Sequence, residues 1–290
     1  MTAAGYTLAR AATVRGLGLF TETECLVTIT PGDQGLTIRR SGASAPATIE
    51  HLSTEPVHAA FRAMPPRNTN VALDDASVVF TVEHVLSALA GLGVTATTIE
   101  VDGPEIPIGD GSARAFVEAI RSAGLVECDS VRPTLPEAFT VGDPSAAHIR
   151  VSPAPQPSYA YHLDYGPESP IRPQSASWDG AAGTYAEQVA PARTYCLDYE
   201  ARAMHAAGLF RSFSPRDMLV IGPQGPIDNA LRFDDEPARH KLLDLIGDLA
   251  LAGLPLPPVR VEAFGSGHAL NHEAARALRR AAAPRGTVSP

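Results

Sequence analysis

The sharpest chemical signal in the chain is a short row: His240, Asp244 and Asp248 follow one another at intervals of four residues. On a helix, side chains four apart lie about 5–6 Å from each other on one face, so His240 and Asp244 can reach a single ion. Leu242, Leu243, Ile246, Leu249 and Ala250 would fill the apolar side of the same helix, and the polar row then needs something polar opposite it. A solvated face with a His/Asp hydrogen bond is the plain alternative, and one helix does not exclude it.

A third ligand has to come from the other histidines, of which the chain has nine in all. His84 begins a second apolar segment, where Val82, Val85, Leu86, Leu89 and Ala90 recur at helical spacing before Gly91 and Gly93. His84, His240 and Asp244 make a set of two nitrogens and one oxygen, which suits Zn2+ with a position open for water. Fe2+ is a second candidate, because the same ligands accept it. Such an ion lowers the pKa of its water to about 7, and the neighbouring Glu83 is placed to take that proton. The structural alternatives are a core-edge histidine for His84 and, for Glu83, a surface carboxylate stabilised by a helix N-terminus. His268 follows Gly265-Ser266-Gly267, where glycine lets the backbone approach a ligand closely. Asp248 would orient His268 and favour its cation, which could hold an oxyanion and then protonate a departing amine. His272 competes for that role; the glycine-flanked position favours His268.

The elements that must position these groups follow from periodicity and punctuation. Residues 6–39 alternate as short strands, and a helix follows from about 82 to 90. A strand over 97–101 leads through Pro104-Glu105-Ile106-Pro107-Ile108-Gly109-Asp110-Gly111-Ser112 to a helix over 113–123, with Ser112 as its cap. Residues 129–136 carry two prolines and read as a linker; 166–183 are rich in Pro, Gly and Ser and read as a loop with little regular structure. A helix over 238–252, entered through Asp235-Glu236-Pro237, a strand over 259–263 and a helix over 271–281 then repeat the earlier order. This recurrence predicts an α+β fold of two similar domains, 1–128 and 137–290, whose equivalent helix starts bring His84 and His240 to one cleft.

Composition narrows the function. A chain of 290 residues with 44% hydrophobic content can bury a substantial core. A net charge of -9 with no Lys/Arg run argues against nucleic acid as partner. There is no apolar stretch of membrane-spanning length, and residues 1–10 lack the basic flank and apolar core of a secretory leader. Cys25, Cys128 and Cys196 are odd in number and far apart, as free thiols in a reducing compartment are. A cytoplasmic monomer without stable membrane insertion is the expectation.

Several strings together resemble the UDP-3-O-acyl-N-acetylglucosamine deacetylase family, the zinc enzymes of lipid A synthesis. They are the run Thr81-Val-Glu-His84 through Gly93, Glu105 through Ala113, Ala192-Arg-Thr194, Leu231 through Glu236, Arg239 through Asp248, and Gly267-His-Ala-Leu-Asn271. The resemblance runs from about Thr13 to Arg279. It implies two α+β domains with helices packed between two small sheets, and a substrate that is a UDP-linked, acylated amino sugar. It implies zinc on His84, His240 and Asp244, Glu83 as general base, and His268 as acid or charge stabiliser supported by Asp248. Thr194 would assist the oxyanion and Lys241 would reach the sugar or diphosphate. A β-α-β insert over about 195–222 would form the passage for the acyl chain, with Leu197, Leu209, Phe210 and Phe213 in its wall.

This chain also departs from the family pattern. Phe20 stands where a His is usual, Phe210-Arg-Ser-Phe-Ser-Pro-Arg-Asp217 replaces a Gly/Ser/Asn-rich stretch, and Gly109 replaces a Met. Tyr195 replaces a Phe, and either ring can stack on uracil or sugar. These changes leave every ligand and catalytic position in place and bear on the acyl chain and substrate. The alternatives are a paralogous deacetylase for another nucleotide-linked or acylated amino sugar, and a non-catalytic, metal-stabilised binding protein. The second has to explain an open three-ligand site, since structural zinc sites are closed by four ligands.

Overall fold

The computed structural model describes residues 5–282; residues 1–4 and 283–290, the ends of the two expected domain ranges, lie outside the described residues. The first half runs β1 (Gly5–Leu8), β2 (Ala12–Leu17), β3 (Glu24–Pro31), β4 (Gly35–Arg40) and β5 (Ala43–Pro46). It continues through the hairpin β6 (Val71–Ala72) and β7 (Val78–Val79), then α1 (Glu83–Gly91), β8 (Ala96–Val101), α2 (Arg114–Ala123) and β9 (Leu125–Cys128). Strand alternation sets the buried face: in β3, Cys25, Val27 and Ile29 are fully covered while their neighbours are not. The five-stranded sheet has the order β2-β3-β8-β4-β5, with β8 antiparallel to β3 and parallel to β4.

The second half repeats that plan. Its elements are β10 (Phe139–Gly142), β11 (His148–Pro153), β12 (Ser158–Leu163), β13 (Gln174–Trp178), α3 (Ala182–Gln188), β14 (Tyr195–Leu197), α4 (Asp198–Ala206) and β15 (Leu219–Gly222). Then come β16 (Gly225–Pro226), α5 (Glu236–Ala250), β17 (Val259–Phe264) and α6 (His268–Ala282). The sheet order β10-β11-β17-β12-β13 again has a central strand antiparallel on one side and parallel on the other. Ile99 pairs between Ile29 and Ile38, as Val261 pairs between Val151 and Tyr159. β14, α4 and β15 form the β-α-β insert of the second half, with β14 parallel to β15.

Helices fill the space between the two sheets. Every residue of α1 except Ala90 is buried, which a helix tolerates only where it is covered on all sides. It crosses α5 antiparallel and very close: Ser87 Oγ donates to the Leu243 carbonyl at 2.7 Å, and a Cβ on Gly247 would collide with the Glu83 carbonyl oxygen. Gly247 is thus what lets the two backbones meet. α5 lies on β12 and β13, and α2 on β2.

Four expectations change in detail. Residues 166–183 are not all loop: β13 pairs along β12 and buries Ala176 and Trp178 on alternate positions, so the Pro/Gly-rich character belongs to the approach to this strand. The last helix starts at His268, which makes that histidine part of the helix. The internal symmetry does not equate His84 with His240. α1 and α5 both finish at a left-handed glycine, Gly93 and Gly253, whose N–H bonds the carbonyl three residues back. Matched on those ends, His84 corresponds to Asp244, and His240 lies one turn earlier in the longer helix. α2 starts at Arg114 with Ala113, not Ser112, at the cap position; Ser112 Oγ accepts the Arg114 N–H from one residue further back, at 3.2 Å. Among the described residues no helix is long and apolar enough to cross a membrane.

Candidate metal centre and catalytic cleft

Where α1 meets α5, His84, His240 and Asp244 bring ligand-type atoms within 4.8 Å of one another, all buried. His240 Nε2 is 3.2 Å and His84 Nε2 3.7 Å from Asp244 Oδ1, and the two imidazoles stand edge to face with centroids 5.2 Å apart. The Ala192 carbonyl accepts from His240 Nδ1 at 3.1 Å, which fixes the tautomer and leaves Nε2 bare. Two imidazole nitrogens and a carboxylate oxygen, facing each other in a buried pocket, fit a divalent cation of the zinc type. Burial pushes His84 down to about 3, and the closeness of a second imidazole, His240, disfavours its cation further; burial lowers His240 as well, so both are neutral and able to ligate. Burial alone would raise Asp244; the surrounding His240, Lys241, His268 and His84, of which Lys241 and His268 carry charge, hold it below the ordinary carboxylate range. Lys241 Nζ donates to the other Asp244 oxygen at 2.9 Å and lies 5.9 Å from the centre of the Tyr195 ring.

The Ala192 carbonyl is itself held rigidly. Arg193 gives its backbone N–H and its guanidinium to Glu236, at 3.1, 2.8 and 3.0 Å, one turn before His240 on α5. Removing one partner of so deeply buried a pair would leave an uncompensated charge, at a cost of about 3–5 kcal/mol. The ring Glu236–Arg193–Ala192–His240 thus locks the His240 imidazole in place beside its own helix. The next residue, Thr194, gives its N–H to Gly111 at 2.7 Å, where φ is 86° and the Thr194 methyl leaves little room for a side chain.

Glu83, the first residue of α1, sits beside the cluster with 3% exposure. Burial pushes its carboxyl up to about 8, against the pull of His268 and with Asp248 and Asp244 adding to the rise. Its aim depends on Thr81, a β-branched residue at φ 60°, a conformation that costs on the order of 1–3 kcal/mol. That turn is pinned because Thr81 donates its N–H to Asn70 Oδ1 and its hydroxyl to Glu105 at 2.8 Å.

On the far side, His268 Nδ1 bonds Asp248 Oδ2 at 2.8 Å and its Nε2 faces Asp244 at 3.9 Å. Burial works against a charged His268, but the Asp248 charge and hydrogen bond outweigh it and raise the group to about 9. Asn271 also donates to Asp248 Oδ2, at 2.9 Å. His272, the competing candidate from the sequence, lies one layer behind, bonded to Thr69 at 2.8 Å.

Thr69 is the group that sequence reasoning missed. Fully buried, it donates its N–H to Glu83 Oε2 at 2.9 Å and its hydroxyl to Asp248 Oδ1 at 2.5 Å, so one residue ties the carboxylate on one side of the cluster to the His–Asp pair on the other. The only sequence signal was three polar residues, Asn68-Thr69-Asn70, leading into the apolar Val71.

Beside the cluster, a cavity of about 170 Å3 opens between the insert and the first half, with Thr194, Tyr195 and Lys241 on its inner side. Phe210 and Phe213 line it together with Phe20, Phe61, Met204 and Met218. Leu197 and Leu209 do not: Leu197 packs against the core and Leu209 is 3% exposed, both turned inward by the short β-α-β element that carries them.

Fold and site together define a class, a hydrolytic enzyme of two α+β halves with a candidate metal centre between them. A sequence profile of the family described as UDP-3-O-acyl N-acetylglycosamine deacetylase matches residues 5–280. Three proteins named UDP-3-O-acyl-N-acetylglucosamine deacetylase illustrate the likeness. The one from Nostoc sp. is 34% identical over 94% of this chain and 97% of its own length. That from Thermosynechococcus vestitus is 38% identical over 72% of each chain, and that from Geobacter sp. 35% over 92% and 86%. The chain belongs to the UDP-3-O-acyl-N-acetylglucosamine deacetylase family.

Proposed function

We propose that this protein is a zinc-dependent deacetylase that hydrolyses the N-acetyl group of UDP-3-O-acyl-N-acetylglucosamine, releasing acetate and UDP-3-O-acyl-glucosamine for lipid A biosynthesis. The observation that carries the reading is the flanking of His84, His240 and Asp244 by a buried carboxylate, Glu83, and by a buried His268–Asp248 pair. A purely structural metal has no use for either flank. When bound, Zn2+ would acidify a water and polarise the acetyl carbonyl; Fe2+ fits the same ligands.

The protein's own groups do the rest. Glu83, fixed through Oε2 by the Thr69 N–H, would be returned to its ionised form by a cation on the neighbouring ligands, and in that form it removes a proton from the attacking water. Thr194 and the His268 cation face the charge that develops on the carbonyl oxygen. His268 keeps its proton at Nε2 while Nδ1 stays on Asp248, then delivers it to the leaving amine. Lys241 holds the sugar or diphosphate, Tyr195 stacks on uracil or sugar, and the cavity beside them takes the 3-O-acyl chain. In this reading 1–128 and 137–290 are the two domains joined by 129–136, the insert spans about 195–222, and the enzyme works as a cytoplasmic monomer.

Product analysis on purified, zinc-loaded protein tests the assignment: acetate and the free amine should form in equal amounts. A second reading, deacetylation of another acylated or nucleotide-linked amino sugar, is favoured by Phe20 and Phe210 in the cavity wall. Turnover of such a sugar with none of the UDP-3-O-acyl substrate would select it.

A further inference from the structure

One wall of the acyl cavity is fastened by contacts that the proposed chemistry does not use. Glu22 and Phe210 are non-glycine residues with left-handed backbones, φ 50° and 60°. They belong to loops far apart in sequence, and the loops meet. Glu22 accepts the N–H of Arg211 at 2.8 Å through Oε1 and that of Ser212 at 2.6 Å through Oε2. A carboxylate that takes two backbone donors forms a charge-assisted fork, roughly twice as strong as neutral hydrogen bonds. Strained turns of this kind persist where surrounding contacts over-determine them, and here each turn presents the groups that the other binds.

The Glu22 loop is held from its other side by Glu105. That fully buried carboxylate accepts the Phe20 N–H at 3.2 and 3.1 Å and the Thr21 N–H at 2.8 Å. Phe20 is thereby set against Phe61, with centroids 5.2 Å apart and planes at 79°, and against Phe210, at 5.7 Å and 46°. Three rings from three segments form one continuous side of the cavity. The insert carries only Phe210 of the three, so the position of the insert loop decides whether that side is closed.

We propose that Glu22 is a specificity-determining residue: it latches the 210–212 turn of the insert onto the first half and so sets the longest acyl chain that the cavity accepts. The proposal rests on the acyl-sugar reading above. With the fork intact, Phe210 stays against Phe20 and longer chains meet an aromatic wall. With it broken, the insert loop can swing away and the cavity lengthens, while the metal ligands keep all their contacts.

The test is kcat/KM of zinc-loaded wild type and Glu22 variants on UDP-N-acetylglucosamine carrying 3-O-acyl chains extended in two-carbon steps. Each buried methylene contributes about 0.8 kcal/mol, or roughly fourfold, so a shift of one two-carbon step should change the ratio of long-chain to short-chain kcat/KM by about fifteenfold. Glu22→Ala should raise that ratio by this amount or more, with short-chain turnover and zinc content unchanged. Glu22→Gly, which tolerates a left-handed backbone, should do the same in a turn free of strain. Glu22→Gln, which keeps an acceptor, should fall between these variants and wild type. Turnover with an unchanged chain-length profile in Glu22→Gly overturns the latch, as does a uniform loss at all lengths. Failure of wild type to turn over any of the series overturns the substrate reading and the latch with it.

Discussion

The candidate metal cluster and the aromatic-walled cavity lie side by side and are built differently. In the cluster, His84, His240, Asp244 and Asp248 project from two buried helices that cross at Gly247, and three of the four are steered by hydrogen bonds, as the Ala192 carbonyl steers His240, Lys241 steers Asp244 and Thr69 steers Asp248, while His84 Nδ1 is buried without a hydrogen-bond partner. In the cavity, Phe20, Phe61, Phe210 and Phe213 come from loops and short turns; the side chains of Phe20, Phe61 and Phe210 meet only as rings, and the polar bonds nearby, from Glu22 and Glu105 and from the Phe213 N–H to the Phe210 carbonyl, hold backbone. Under the proposed function, the contrast follows from what each part would do. Ligation and proton transfer need positions fixed to fractions of an ångström, whereas an alkyl chain needs only apolar volume, and volume is free to change without disturbing the chemistry.

That contrast can be broken from the cluster side first. Chelation should abolish deacetylation completely, with recovery on adding Zn2+; acetate release with and without chelator checks it. Next in size, His240→Ala removes a ligand on the helix and should weaken metal affinity by more than the roughly 10–100-fold that loss of an outer-shell partner costs, as read by competition with a chromogenic chelator. Thr69→Val, which keeps the backbone donor but deletes the hydroxyl, should lower kcat by about 10–100-fold with KM and metal content unchanged, and Thr69→Ser should restore it. The smallest effect belongs to the cavity: Phe213→Ala should raise KM for a long-chain substrate by about tenfold, as expected for losing part of a buried aromatic contact, while kcat stays at its wild-type value. A large fall in kcat for Phe213→Ala, or none for Thr69→Val, would erase the division between the two regions.

The same division explains what was legible in the sequence. The His240–Asp244–Asp248 row could be read because helical spacing alone puts these residues on one face, and His84 because it opens a second apolar helix. The repeated order of helix, glycine stop, strand and turn likewise anticipates two sheets of matching strand order. Its register was harder to see: α1 is shorter than α5, so the true counterpart of His84 is Asp244, and only the glycine-terminated helix ends reveal it. Thr69 was invisible because its importance lies wholly in tertiary placement; a neutral residue in an irregular segment has no periodicity to betray it. β13 was hidden by the Pro/Gly-rich stretch before it. The cavity wall suffered most, since Phe20 and Phe61 belong to the first half and no local pattern says that they meet Phe210, while Leu197, packed against the core, and the buried Leu209, both apolar and within the insert, do not line it.

The central claim is that His84, His240 and Asp244 hold the metal while Glu83 acts on water without holding it. Zinc per chain and acetate release, measured on one preparation of Glu83→Gln beside wild type, test that most directly. The account predicts one zinc per chain in both proteins and turnover reduced by about 10²–10⁴-fold in the variant. Wild-type turnover in Glu83→Gln, or loss of its zinc, would contradict it.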